Sequence, residues 1–394
     1  GKRSDLLKED STVLKAGIAR GTGVVELNNF EATPENGTLK TIRIALPKYE
    51  SVVYFSTDGR ERFLGAANRI FPWKANRLKT IVSDNFKPDP TTRKPSRNGL
   101  LVLFKLQDDE YLLLEGIAGP NAMSHFMIAD DGSLNLKLVT FGKAAVSGDI
   151  PLVAYARGSN IYDVFQKAWK SAMQTQTVEG RTAMRHEKKY PEMFNYLGWC
   201  SWEQYRRNIT SDLMVDAMQK IEKSPVPVRW VLIDDGHQHQ TGDKMGDSRM
   251  LSFRANPEKF PQGFNPLMDL KSQSDKIRWM GIWHTMNGHW QGLHPEHEIR
   301  ELDPYMMKIT KKNRGEPMEV LMPKGDSVSS WMFYKSLIKS TAHHGFDFVK
   351  IDNQNRVINF YEGGANPVKT TAQHAQSLER AVKKFSGGLI KCFC

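Results

Sequence analysis

Residues 229–238, Arg-Trp-Val-Leu-Ile-Asp-Asp-Gly-His-Gln, constrain the fold of this chain more than any other stretch. After Arg229 the run is apolar without alternation, which fits a strand covered on both faces, and Gly236 permits a sharp turn behind two adjacent carboxylates. The stretch reads as a buried parallel strand delivering Asp234 and Asp235 to its C-terminal end. In α/β folds, ligands and chemistry collect at that end. Carboxylates in an apolar setting are costly to bury, so these two need partners or a purpose.

Four more apolar runs follow the same plan, starting at Tyr196, Ile277, Phe346 and Leu389, with helical stretches between them. The intervals suit βα units, one of them carrying an elaborated, charged loop at 293–327. This is the pattern of a parallel barrel or a doubly wound sheet. Each run ends in polar or aromatic residues: Trp199, Cys200 and Trp202 after the first, Asp234, Asp235 and His237 after the second, Trp283 and His284 after the third. The fourth ends in Lys350, Asp352 and Asn353, and the fifth in Lys391 and Cys392. Parallel strands bring all these tips to one face, around one pocket. Aromatics beside carboxylates suit a sugar, which offers a flat apolar face and several hydroxyls. Lys350 and Asp352 point to the same side of their strand, so the ammonium is expected to hold Asp352 ionised and make it a candidate nucleophile. A single strand-end aspartate is usually a turn or cap residue, and Trp199 and Trp202 alone would read as core; five similar tips together outweigh those readings. His237 with His239, or His294 with His297, lack the spacing of one metal site, so no metal is expected.

Residues 1–155 read as β-rich, with extended segments near 39–46, 51–56, 100–106, 110–117, 127–129 and 134–141. Turns at 107–110 and 129–132 join two pairs of them as hairpins. Many short strands joined in this way predict an antiparallel β-sandwich. Residues 87–97, with Pro88, Pro90 and Pro95, are expected to form a surface loop. From Ile161 the apolar period becomes helical, which predicts a helix to about Thr175, capped by Ser159 or Asn160. Residues 176–195 read as a linker. The organisation is therefore a β-sandwich domain at 1–155, a helix and linker at 156–195, and the strand-and-helix domain at 196–394.

The formal net charge is +11, but the basic residues are scattered and form no run flanked by stacking aromatics. A solvated basic surface, and no nucleic-acid partner, is the reading. The basic surface is also compatible with an acidic or substituted glycan. No apolar run approaches the roughly 20 residues of a membrane span. Cys200, Cys392 and Cys394 are too few for a disulfide framework. The chain opens with Gly1 and Lys2, without a methionine; if an export leader was trimmed, a periplasmic or extracellular place is favoured.

Four motifs occur in order: residues 196–202 (Tyr-Leu-Gly-Trp-Cys-Ser-Trp), 232–236 (Leu-Ile-Asp-Asp-Gly), 281–284 (Gly-Ile-Trp-His) with 288–292 (Gly-His-Trp-Gln-Gly), and 348–352 (Phe-Val-Lys-Ile-Asp). Shorter matches lie at 156–158, 185–189, 253–256 and 260–263. Together they resemble the raffinose synthase and seed imbibition protein branch of the family 36 α-galactosidases. The resemblance implies an N-terminal β-sandwich followed by a (β/α)8 barrel, no cofactor, a carbohydrate substrate, and a retaining enzyme that releases terminal α-galactose through a covalent glycosyl-aspartate. It makes Asp352 the nucleophile and sets Asp234 and Asp235 on the 4- and 6-hydroxyls. Lys350 then contacts hydroxyls and supports Asp352, Trp199 and Trp283 shape the pocket beside His284 and His237, and Cys392 lies toward the 2-hydroxyl. His237 stands where the family carries tryptophan. The family's acid/base aspartate lies beyond the sixth barrel strand and matches no residue of this sequence, which reaches only about the fifth. A barrel cut there would expose open sheet edges, so the other half-barrel is expected to be cleaved but associated, on another chain, or in sequence outside this one. Transfer of galactose to a sugar acceptor, carbohydrate binding without catalysis, and a histidine-based metal hydrolase are the alternatives.

Overall fold

The computed structural model describes residues 5–58, 70–85, 95–175, 178 and 180–392. The loop expected at 87–97 falls almost wholly outside them, as does the end of the fifth apolar run at Phe393 and Cys394. The chain forms two compact units, Gly1–Lys188 with Tyr361–Ala372, and Lys189–Phe360 with Gln373–Cys394.

The first unit holds β1 (Val13–Lys15), β2 (Thr22–Ala32), β3 (Thr38–Ala45), β4 (Tyr49–Asp58), β5 (Ile70–Ala75), β6 (Pro95–Leu106), β7 (Tyr111–Gly116), β8 (Met123–Ile128), β9 (Leu134–Val139) and β10 (Val146–Gly158). Both expected hairpins form, β6 with β7 and β8 with β9. The ten strands make one continuous ladder in the order β1-β3-β9-β8-β6-β7-β10-β2, with β4 and β5 branching from β6, and not two separate sheets. Among the described strands of this unit only β1 with β3 pairs in parallel. Ile42 and Ile44 near one end of the ladder and Val25 and Leu27 at the other share a single core with Phe104, Phe126 and Leu136. The sheet thus closes over its own apolar face, as the alternating burial of β9 requires. Helix α1 (Leu78–Asn85) adds Leu78 and Ile81 to that core. Helix α2 (Ile161–Met173) lays Val164 and Ala168 on the opposite face, against Leu103, Leu113 and Ala156. Asn160 is its cap, accepting from the Tyr162 and Asp163 backbone N–H groups.

The second unit is built on five parallel strands in sequence order: β11 (Gly198–Cys200), β12 (Trp230–Ile233), β15 (Trp279–Thr285), β18 (Phe348–Asp352) and β19 (Leu389–Lys391). Between them run α3 (Trp202–Tyr205), α4 (Ser211–Lys223), α5 (Asn265–Gln273), α6 (Ser327–His343) and, from Gln373 on, α7 (Pro367–Phe385). Thr210 caps α4 and Asp326 caps α6. Two hairpins, β13 (Gln238–Thr241) with β14 (Arg249–Ala255) and β16 (Met306–Asn313) with β17 (Glu316–Pro323), extend the loops after β12 and β15. Among the described residues no helix is long and apolar enough to cross a membrane.

Strand alternation sorts the second unit into two faces. Trp230, Leu232, Trp279, Phe348 and Ile390 share one of them and pack with Met193 and Phe194. Room for those rings comes from glycine: a Cβ on Gly198 would lie 1.9 Å from the Trp230 ring, and one on Gly281 2.2 Å from the Phe348 ring. Continued two residues along, the same face carries Asp234, Trp283, Lys350, Asp352 and Cys392. An apolar floor with a charged rim above it is therefore dictated by the alternation itself.

Candidate active site

Lys350 and Asp352 project from β18, and Asp234 from the end of β12, all to the floor-and-rim face. The Lys350 ammonium donates to Asp234 Oδ2 at 2.6 Å, so its direct partner is Asp234, and Asp352 feels it only as a nearby charge. Burial pulls the Lys350 pKa down, but the charge and hydrogen bond of Asp234 outweigh it and the net direction is up. Cys200 Sγ donates to the same Oδ2 at 3.3 Å, and Ser201 Oγ accepts from the Asp234 N–H at 2.9 Å. Burial first and then the Asp234 charge push the Cys200 thiol up to about 11, so it stays protonated as a donor.

Asp352 is 6% exposed. Burial raises its pKa, opposed in turn by the Asn353 backbone N–H, by Lys350 and by a side-chain hydrogen bond from Trp283. The net direction is up from the ordinary carboxylate value, which makes it a better nucleophile as long as it is ionised. Asn353 donates its backbone N–H to Asp352 Oδ1 at 2.7 Å and holds a left-handed φ of 63°. Its side chain is anchored to Asn287 Oδ1 at 3.3 Å. A strained residue fixed by a side-chain bond sets where the carboxylate points.

Asp235 is 2% exposed and clamped from two loops: Arg207 Nε at 3.0 Å and Trp290 Nε1 at 2.8 Å both donate to Oδ2. Gly236 makes this possible, with φ +121° and a notional Cβ only 2.8 Å from the Arg207 backbone. Lys259 ties the Arg207 loop to the turn after β12 by donating to the carbonyls of Arg207 and Gly236, at 2.6 and 3.1 Å. With Arg207, Gln238, Asn256 and Lys259, Asp235 lines a polar cleft of about 520 Å³.

The other sequence-selected residues divide by parity. Trp283 is buried on the inward face and packs on Trp290, ring centroids 5.3 Å apart. Cys392 continues the β19 ladder, its N–H on the Ile351 carbonyl at 2.9 Å, and contributes to the field at Lys350. Trp199 alternates away from Cys200 and meets Tyr205. His284 lies on the helix side of β15, with Nε2 3.5 Å from Thr341 Oγ1 of α6. His237 is behind the sheet as well: Nε2 bonds the Trp283 carbonyl at 2.8 Å, and its ring packs on Phe264 and His284. Neither histidine reaches the rim, contrary to the expectation that they flank the pocket. Arg207 and Trp290 carry no strand-tip signal in the sequence, and Cys200 is marked there only as a strand-tip residue. Trp290 lies inside a quoted motif, and its spacing from Trp283 was the available signal. No three His, Cys, Asp or Glu side chains among the described residues are placed to hold a metal.

Residues 143–265 match the family described as raffinose synthase or seed imbibition protein Sip1. The chain is related to the raffinose synthase branch of glycoside hydrolase family 36. Among curated relatives, probable galactinol–sucrose galactosyltransferase 6 of Arabidopsis thaliana is 26% identical over 62% of this chain and 37% of its own length. Probable galactinol–sucrose galactosyltransferase 1 of the same plant is 25% identical over 61% of this chain and 36% of its own. This raffinose synthase relative thus spans little more than a third of the proteins it matches. Its fold is that of the Thermus thermophilus α-galactosidase solved with stachyose (TM-score 0.52, 14% identity, 94% of this chain and 72% of that one). It is also that of a family 36 α-galactosidase from Geobacillus stearothermophilus solved with raffinose (TM-score 0.54, 13% identity, 90% of this chain and 48% of that one).

Proposed function

We propose that the protein processes terminal α-linked galactose by double displacement through a covalent glycosyl-Asp352, on a (β/α)8 barrel whose strands include the five described. The observation that carries this reading is the shared rim of Asp234, Lys350 and Asp352, with Lys350 bound to Asp234 at 2.6 Å and Asp352 held by the Asn353 N–H at 2.7 Å. Asp234 and Asp235 take the sugar hydroxyls, each keeping an oxygen outside its cationic partner. Asp352 attacks the anomeric carbon, the bond to the leaving oxygen breaks, and that oxygen takes a proton from a second carboxylic acid. Asp234 and Asp235 are engaged with Lys350 and Arg207, so no described residue of this rim is assigned as that acid. Water then displaces Asp352 and gives hydrolysis.

An activated 2-fluorogalactoside, which slows the second step, tests the nucleophile. A mass gain of one fluorogalactosyl group on the peptide containing Asp352 is expected; turnover with the label on another residue sinks the assignment. Transfer is the second reading, favoured by the galactosyltransferase names of the curated relatives. It uses the same intermediate with a sugar hydroxyl in place of water. Products formed with and without sucrose separate the two: a galactosylated sucrose supports transfer, and free galactose at an unchanged rate supports hydrolysis.

A further inference from the structure

The turn that joins β13 to β14, residues 242–248, is tied to the site by three side chains, each donating to one of its carbonyls. Gln240 Nε2 reaches the Gly242 carbonyl at 2.8 Å, Arg207 Nη1 the Asp243 carbonyl at 2.9 Å, and Gln291 Nε2 the Met245 carbonyl at 3.0 Å. Arg207 is one of the two donors to Asp235, and Gln291 directly follows the other, Trp290. The first half of the turn also borders the same space as Asp235: Gly242 and Asp243 line the cleft of about 520 Å³.

Arg207 meets Asp235 in an incomplete way. A guanidinium commonly grips a carboxylate with Nε and Nη2, two donors on one edge, each on its own oxygen. Here Nε reaches Oδ2 at 3.0 Å, Trp290 shares that oxygen at 2.8 Å, and Nη2 is buried without a hydrogen-bond partner. A buried donor left unsatisfied beside a carboxylate is costly, so the fork is being held open. The restraint on the guanidinium itself is the bond from Nη1 to the Asp243 carbonyl. That carbonyl is in turn fixed by the shape of the turn. Gly242 has a φ of +80°, a Cβ on it would lie 2.6 Å from the Asp247 carbonyl oxygen, and the Lys244 N–H closes the turn on Asp247 Oδ1 at 2.9 Å.

We propose that the first half of this turn, Gly242 and Asp243, is a positioning element for sugar binding. Through the Asp243 carbonyl it turns the Arg207 guanidinium so that one nitrogen holds Asp235 and the second carboxylate oxygen stays available to a sugar hydroxyl. Released from the turn, Arg207 closes on both oxygens and competes with the sugar. The inference rests on the sugar-binding reading of Asp235 and adds the device that keeps one of its oxygens open.

Calorimetric titration of the full protein with galactose tests it, on the unaltered chain, Gly242→Ala, Gly246→Ala, Arg207→Lys and the double variant of Gly242→Ala with Arg207→Lys. Gly242→Ala must displace the turn and is expected to weaken galactose binding about tenfold. Gly246→Ala is the control, because the nearest atom to its notional Cβ is Asn313 Oδ1 at 3.8 Å; its affinity should stay within about twofold. Lysine has no fork to close, so adding Gly242→Ala to Arg207→Lys should cost less than about twofold more. Undiminished binding by Gly242→Ala overturns the inference and leaves the galactose reading standing. The same tenfold loss in the Arg207→Lys background also overturns it, since the turn would then act without the arginine. No galactose binding by the unaltered chain overturns both. Should Gly242→Ala fail to fold, hydrogen exchange of the unaltered chain decides: by reciprocity, saturating galactose slows exchange of the amides at 242–247 about threefold or more, and an unchanged rate overturns the coupling.

Discussion

The Lys350 ammonium lies 2.6 Å from Asp234, an aspartate on a different strand, and not on Asp352 two residues along its own. The lysine thereby links β12 to β18 across the intervening β15 and leaves Asp352 held by neutral donors. A nucleophile bonded directly to an ammonium would have to break that bond to attack, whereas this one gains from the charge at a distance. Both side chains of the pair are largely buried, at 18% and 4% exposure, so Lys350→Met strands an uncompensated carboxylate. A loss of about 3–5 kcal/mol in unfolding free energy is expected. Adding Asp234→Asn should recover part of it, read from urea denaturation of the two single variants and the double variant.

In the proposed sugar site, Trp290 is a positioning residue for Asp235. Trp290→Phe keeps an aromatic ring on Trp283 and removes the N–H that lies 2.8 Å from Asp235. Arg207 still holds the same oxygen, so the carboxylate loosens without leaving. The expected result on an aryl α-galactoside is a KM raised roughly tenfold with a smaller change in kcat, in line with one charge-assisted hydrogen bond. A fall in kcat at constant KM would instead place Trp290 in the chemistry.

Much of this was legible in the sequence, and the limits have physical causes. The apolar run ending at Asp234 is the strand it resembled: four apolar residues closed by a glycine turn are too few for a buried helix. Strands β2 and β10 are not legible in this way: β10 carries Gly148 and Pro151, and register shifts beside both break the period-2 signal. Adjacent residues of a strand cannot share a face, so Trp283 inward requires His284 outward, a conclusion available from alternation alone. The clamp on Asp235 was not available in that way. Arg207 and Trp290 lie 28 and 55 residues from it in sequence, on loops whose course no periodicity records.

Gly236 is the point where that clamp is most exposed to mutation. Its φ of +121° and the 2.8 Å approach to the Arg207 backbone mean that Gly236→Ala must displace one loop or the other. A cost of at least about 1–3 kcal/mol is expected, with loss of activity because Arg207 and Asp235 separate. Gly263→Ala is the control: φ is +62° and nothing lies within 4 Å of its notional Cβ, so only backbone strain of about 1 kcal/mol applies and activity should persist. Equal losses in both variants would mean that the contact with Arg207 carries no weight.

The buried histidines set the acid limit of the second unit. His237, His289 and His374 are at most 2% exposed, and burial holds their pKa values at about 4, 3 and 3, against an ordinary value of 6.5. In the unfolded chain each takes up a proton as the pH falls through 6.5, while in the folded chain it does not until the pH approaches 4 or 3. The unfolded state therefore binds more protons across that window, and stability falls as the solution is acidified. Each histidine contributes a slope approaching about 1.4 kcal/mol per pH unit below pH 6. For His237, the Trp283 carbonyl and the Asp235 and Asp234 charges favour protonation without outweighing burial. Urea midpoints between pH 7 and pH 4.5 should show this decline, and His289→Gln, which keeps a polar partner for Gln240, should flatten it by about one histidine's share. A midpoint independent of pH over that range would show that these rings are not held neutral by the fold.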